Sequence, residues 1–158
     1  MDDLAIVRAI HVVAIVFWIG GVGLVTTALL PAAKCFKSSE ARIAFFESIE
    51  HRFALQARLM TILAGLSGFY MIYRLDLWDR FAIFAFWWMH AMVGVWLLFA
   101  LMLFVAEPLF LHRWFIDRAR AAPESTFQLA QGLHWFLLCL SIITILGAVA
   151  GSHGGLLF

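Results

Sequence analysis

Four stretches of this chain, roughly 4–30, 52–74, 81–106 and 126–150, are each long and apolar enough to cross a bilayer, and this limits the fold more than any other feature. A helix rises about 1.5 Å per residue, so some 20 apolar residues cross a hydrocarbon layer of ~30 Å. Hydrophobic residues make up 65% of the chain and charged ones 13%, against the ~25% charged fraction of soluble domains. In water most of that apolar surface would be left exposed, whereas a bilayer removes the cost. Four spans with their connections use up the chain, so residues 1–158 read as a single transmembrane domain in an up-down four-helix bundle. A net charge of +1 gives no sign of a nucleic-acid partner; the partner implied is the lipid bilayer.

The connections locate the ends of the spans. The first apolar run, Leu4–Leu30, stops at Pro31, which marks the end of a helix. After the polar stretch from Lys34 to Glu40, the residues from Ala41 to Glu50 mix Ile43, Phe45 and Phe46 with Arg42, Glu47 and Glu50, the pattern of an interfacial helix. No breaker separates it from the second span, so the two read as one long helix. The polar stretch from Arg74 to Arg80 leads into the third span, whose end is marked by Glu107 and Pro108, with Leu109–Arg120 able to carry the helix beyond the membrane. Pro123, Glu124, Ser125 and Thr126 open the fourth span, which ends in a glycine-rich tail from Gly151 to Gly155.

Basic residues favour the first connection (Lys34, Lys37, Arg42) and the third (Arg113, Arg118, Arg120), while Arg74 and Arg80 in the second each have an aspartate nearby. The positive-inside rule puts the first and third connections in the cytoplasm and both termini outside, with the second and third helices extended into the cytoplasm. The opening Met-Asp-Asp lacks the basic region of a signal peptide, so the first span is expected to be retained.

Six histidines in so apolar a chain need explaining, because ionisable side chains in spans usually face the bundle interior and act there. Measured from Pro31 and Glu107 at about 1.5 Å per residue, His11 and His90 differ in height by only ~5 Å, both toward the outer face. Spans one and three are diagonal partners in an up-down bundle, where cofactor sites form between facing helices. Trp18 and Gly21 continue the His11 face, and Gly94 lies one turn from His90, leaving room for a planar ring. Two imidazoles at matched depth suit a haem iron, with copper or zinc as alternatives. Equally, each can be a buried polar residue bonded to a backbone carbonyl.

Toward the inner side lie His51, His112 and His134, a looser group in which His134 with His51 or His112 could hold a second haem. Arg58 is submerged in the second span and needs an anion or carbonyl as partner; a haem propionate, a quinone oxygen or the carbonyl end of another helix would each serve. Met89 and Met92 flank His90 and offer thioethers to copper, or are ordinary apolar filler. Cys35 and Cys139 form no C-x-x-C-H attachment, so any haem is b-type and non-covalent.

The segment from Ile10 to Gly21, with its Ile-His and Trp-Ile-Gly-Gly, resembles the first span of the copper-resistance D family and of the bacterial membrane protoporphyrinogen oxidases. Arg58 with Leu66-Ser67-Gly68 resembles their second span, and Trp88-Met-His-Ala-Met-Val-Gly94 their third. The resemblance implies a b-type haem protein of a bacterial inner membrane, with His11 as ligand or catalytic residue. One departure is Met92, where the oxidases carry a lysine. Of three functions, electron transfer by haem b between a quinol or extracytoplasmic donor and a partner protein is preferred. Copper transport through His11, His90, Met89 and Met92, and porphyrinogen oxidation by an oxidoreductase, are the alternatives. The number of haems, one or two, and the oligomeric state stay open.

Overall fold

A computed structural model describes residues 3–154, which contain helices and turns and no strand. Four helices follow in order: α1 (Asp3–Ala33), α2 (Ser39–Arg74), α3 (Phe84–Ala121) and α4 (Pro123–Ser152), each long and apolar enough to cross a membrane. The 36 residues of α2 form the single long helix that the sequence suggests. Ser38 starts it, in extended conformation, with its hydroxyl accepting from the Ala41 N–H at 3.0 Å. Pro123 starts α4, where its missing N–H costs nothing. The third helix begins later than the apolar run: Trp78–Ala82 and Phe84–Phe86 are short 3₁₀ turns, and the regular helix starts at Trp87.

Each helix packs antiparallel on the next, and α4 returns to α1, closing a four-cornered bundle with α1 opposite α3 and α2 opposite α4. The diagonal pair meets at the centre through Trp18 and Phe99, edge to face with centroids 5.0 Å apart. Ala14, Val22, Ala64, Val95 and Leu137 pack around that pair. A second core, nearer the turns that join α1 to α2 and α3 to α4, gathers Leu30, Ala33, Ile43, Ile116 and Phe127. Large apolar side chains such as Leu66, Phe84 and Leu109 point outward, where a bilayer would take them up.

Close packing depends on small residues. A Cβ at Gly147 would lie 2.5 Å from the Trp87 ring and one at Gly151 2.6 Å from Trp88, so two tryptophans of α3 sit in glycine sockets of α4. Trp96 fits against Gly65 of α2 in the same way and donates its indole N–H to the Thr61 carbonyl at 2.9 Å.

Neither interior proline ends its helix. The chain widens into a π-helical turn at Val25–Leu29 before Pro31, and again at Met102–Leu111 around Pro108. In such a turn each N–H reaches the carbonyl five residues back, as Leu30 does to Val25 and His112 to Glu107. Proline has no N–H, so Pro31 leaves the Thr26 carbonyl without that donor and Pro108 leaves the Leu103 carbonyl. Both vacated carbonyls are taken by a neighbouring helix. Gln131 Nε2 donates to Thr26 O at 2.6 Å and Arg58 Nε donates to Leu103 O at 3.1 Å. An unsatisfied carbonyl in hydrocarbon costs several kcal/mol, which is why proline persists here only beside a borrowed donor.

Candidate functional site

His11 is half-buried on the face of α1 turned to α2. Its Nδ1 lies 3.0 Å from the Ala64 carbonyl and 2.9 Å from Ser67 Oγ. The Ser67 hydroxyl gives its proton to the Leu63 carbonyl at 2.5 Å, so both partners of Nδ1 accept, and the ring donates through Nδ1–H. Nε2 then carries the lone pair. Gly68 makes room for the ring, since a Cβ there would stand 3.2 Å from His11 Cε1. A carbonyl holding one ring nitrogen so that the other faces outward with its lone pair is the usual support of a metal-binding histidine.

His90 is placed differently from the expectation. It is exposed, Nε2 bonds to the Phe81 carbonyl at 3.0 Å, and the ring packs edge-on against Phe81. Depth along the chain sets it level with His11 but leaves its rotation open. On α3 the inward face is marked by Phe99, nine residues on; at 100° per residue that is two and a half turns, so His90 points the opposite way. The structure therefore does not bring His11 and His90 to one ligand. Gly94 is exposed, and a Cβ added there would meet nothing within 4 Å, so it opens to the outside of the bundle and not onto a ring slot between α1 and α3. Trp18, expected beside a cofactor, is instead the centre of the core, 2% exposed.

The other histidines separate as well. His134 is half-buried, with Nδ1 on the Ala130 carbonyl one turn back at 2.9 Å. It helps line a central cavity of about 30 Å³ with Trp18, Phe53, Phe99 and Met102. His112 faces α2, 3.5 Å from Glu50 and 4.0 Å from Glu47, and does not join His134. The side chain of His51 lies outside the described residues. Among the described residues no three His, Cys, Asp or Glu side chains are grouped to hold a metal ion. His153, near the tail, bonds back to the Val149 carbonyl at 2.8 Å.

Arg58 has the carbonyl partner anticipated for it, Leu103 O, and an anion as well: its Nη2 pairs with Glu107. With Glu50 and His112 beside them, these groups make a band of ionisable side chains between α2 and α3. Sequence reasoning takes Glu107 only as a marker of a helix end and misses its part in this pair. It also misses Arg42. That side chain is 7% exposed, bonds to Glu124 at 2.8 Å and to the Phe36 carbonyl at 3.1 Å, and lies over Phe127. It ties the α1–α2 turn to the start of α4. The signal for it is Arg42 inside a run of apolar residues, which reads equally well as an interfacial face.

On the outside of the α1–α2 seam runs an apolar groove of about 500 Å³, lined among others by Ile10, Val13, Phe17 and Met60, with Gln56 as its polar member. No family model, no curated protein and no solved structure matches this chain.

Proposed function

We propose that this chain is a multi-pass membrane protein that binds one b-type haem through His11 and passes electrons, with a quinol or an extracytoplasmic donor on one side and a partner protein on the other. The observation that carries the reading is the Nδ1–H bond from His11 to the Ala64 carbonyl, which leaves Nε2 as a neutral donor of the kind iron takes. Haem would supply the one-electron chemistry; the chain supplies the ligand and its orientation. His134 has the same kind of Nδ1 bond, to the Ala130 carbonyl, but the cavity it lines, about 30 Å³, is an order of magnitude below the ~300–1,000 Å³ of ligand pockets, so we do not place a second haem there. Arg58, already paired with Glu107, is not needed for a propionate. Copper movement is less well supported than haem, since Met89 is buried in the core while Met92 and His90 are exposed, so these groups do not line one path.

The orientation we favour keeps the Lys34–Arg42 and Arg113–Arg120 connections in the cytoplasm of a bacterial inner membrane. Cys35 is exposed in the first of them, and its labelling in intact cells by an impermeant thiol reagent would reverse the assignment.

The absorption spectrum of purified protein tests the function. A Soret band lost in His11→Ala and kept in His90→Ala is expected. With His11 as sole chain ligand the reduced spectrum should be high-spin; a low-spin spectrum would require His90 to leave the Phe81 carbonyl. Protein that stays colourless after expression with added haem refutes the reading.

A further inference from the structure

Gln56 is exposed on the lipid-facing side of α2, beside the groove it shares with α1. Along the helix it lies about 27 Å from Arg74 and about 21 Å from Arg42, at 1.5 Å per residue. A hydrocarbon core of ~30 Å between those arginines contains it wherever the bundle is centred. Its amide has two donor hydrogens and an acceptor oxygen, and it makes one long bond, Nε2 to the Phe17 carbonyl at 3.4 Å. Lipid chains offer nothing for the remainder.

We propose that the α1–α2 groove is the contact surface of a homodimer, in which Gln56 pairs with Gln56 of a second copy. Two copies in one membrane, inserted the same way, are related by a two-fold axis along the membrane normal. Such an axis preserves depth, so a group at the level of Gln56 meets its own counterpart there. Two glutamine amides facing each other exchange two hydrogen bonds, which satisfies both. Lipid chains carry no polar group at that depth, whereas a second copy brings the same amide, and this self-complementarity is the reason for choosing it as occupant. Val13, Phe17, Leu55 and Leu59 are all more than half exposed and supply the apolar contact around the amides. Arg52, one turn from Gln56, is exposed on the same side, and its long apolar stem allows the charged head to reach toward the headgroups.

Single-molecule photobleaching in liposomes at falling protein-to-lipid ratio tests this, with a fluorophore on Cys35 and Cys139 replaced by Ser. The chain should bleach in two steps over a range of dilutions. Gln56→Leu, a change on the lipid side that leaves the fold intact, should weaken association roughly tenfold, and Gln56→Asn, which keeps the amide, should retain much of it. Val13→Trp, placed across the groove, should weaken association independently. One-step bleaching of the unaltered chain at every ratio, as expected if a lipid chain occupies the groove, overturns the proposal, and so does a dimer indifferent to Gln56→Leu. Haem binding by His11 is read separately by absorbance, so either reading can fail alone.

Discussion

The two proline turns solve one problem with different chemistry. At Pro31 the vacated Thr26 carbonyl receives a neutral amide from Gln131 of α4. At Pro108 the vacated Leu103 carbonyl receives the guanidinium of Arg58 from α2. The neutral amide leaves its own Oε1 buried without a partner, which costs less than an unpaired buried charge. The charged one must be balanced, and Glu107, the residue beside the proline, balances it. Threonine hydroxyls also help at the first turn, Thr26 to the Val22 carbonyl and Thr27 to the Gly23 carbonyl. Thus a neutral amide in hydrocarbon persists with one atom unpaired, at a cost, whereas a cation acts as one member of a pair. Removing the cation should cost more than removing the amide.

The largest effect is expected from Arg58→Met. It leaves the Glu107 carboxylate, 22% exposed, without its cation and the Leu103 carbonyl without its donor. A loss of about 3 kcal/mol is expected, the lower part of the range for breaking a buried pair from one side. Thermal or denaturant unfolding in detergent measures it. The double variant Arg58→Met with Glu107→Gln should recover most of the loss, since neither charge remains.

Next in size is the coupling between Arg58 and Pro108. Pro108→Ala restores an N–H that can reach Leu103 O, so the cost of Arg58→Met should fall by about 1 kcal/mol on that background. If the two changes are additive, the guanidinium is there for Glu107 alone and the parallel with Pro31 breaks.

Gln131→Leu should cost about 1 kcal/mol, the worth of one interhelical bond in a membrane bundle, and Pro31→Ala should remove most of that cost. A loss equal to that of Arg58→Met would erase the distinction between neutral and charged donors. The smallest effect, within about 0.5 kcal/mol, is expected for His90→Ala, whose ring caps its own loop on the outside of the bundle.

What is legible in the sequence follows from what hydropathy measures. Run lengths locate the four crossings, and the unbroken stretch from Ala41 to Tyr73 gives the long α2. Rotation is harder. In a soluble helix the polar face points away from the core, but here lipid and core are both apolar, so Phe99 and Leu98 look alike although one is central and the other outside. For the same reason depth can align His90 with His11 while its direction stays unread. Arg58 stands out because arginine in a span always needs a partner; which partner depends on a carbonyl that becomes available only when Pro108 is carried through a widened turn. Pro31 and Pro108 read as stops because the compensating donors sit on other helices, far away in sequence.

Apolar helices side by side in lipid can slide along one another at little cost, since leucine exchanges for leucine at every step. A borrowed donor forbids that freedom. Along most of α3 the carbonyls are held by the helix itself, and Leu103 O is open to Arg58 because Pro108 has no hydrogen to give. Moving α2 by one residue would carry Arg58 past its acceptor to positions already taken. The proline thus works as a notch on a ruler: the missing proton fixes the height at which α2 stands against α3, and the missing proton of Pro31 does the same for α1 and α4.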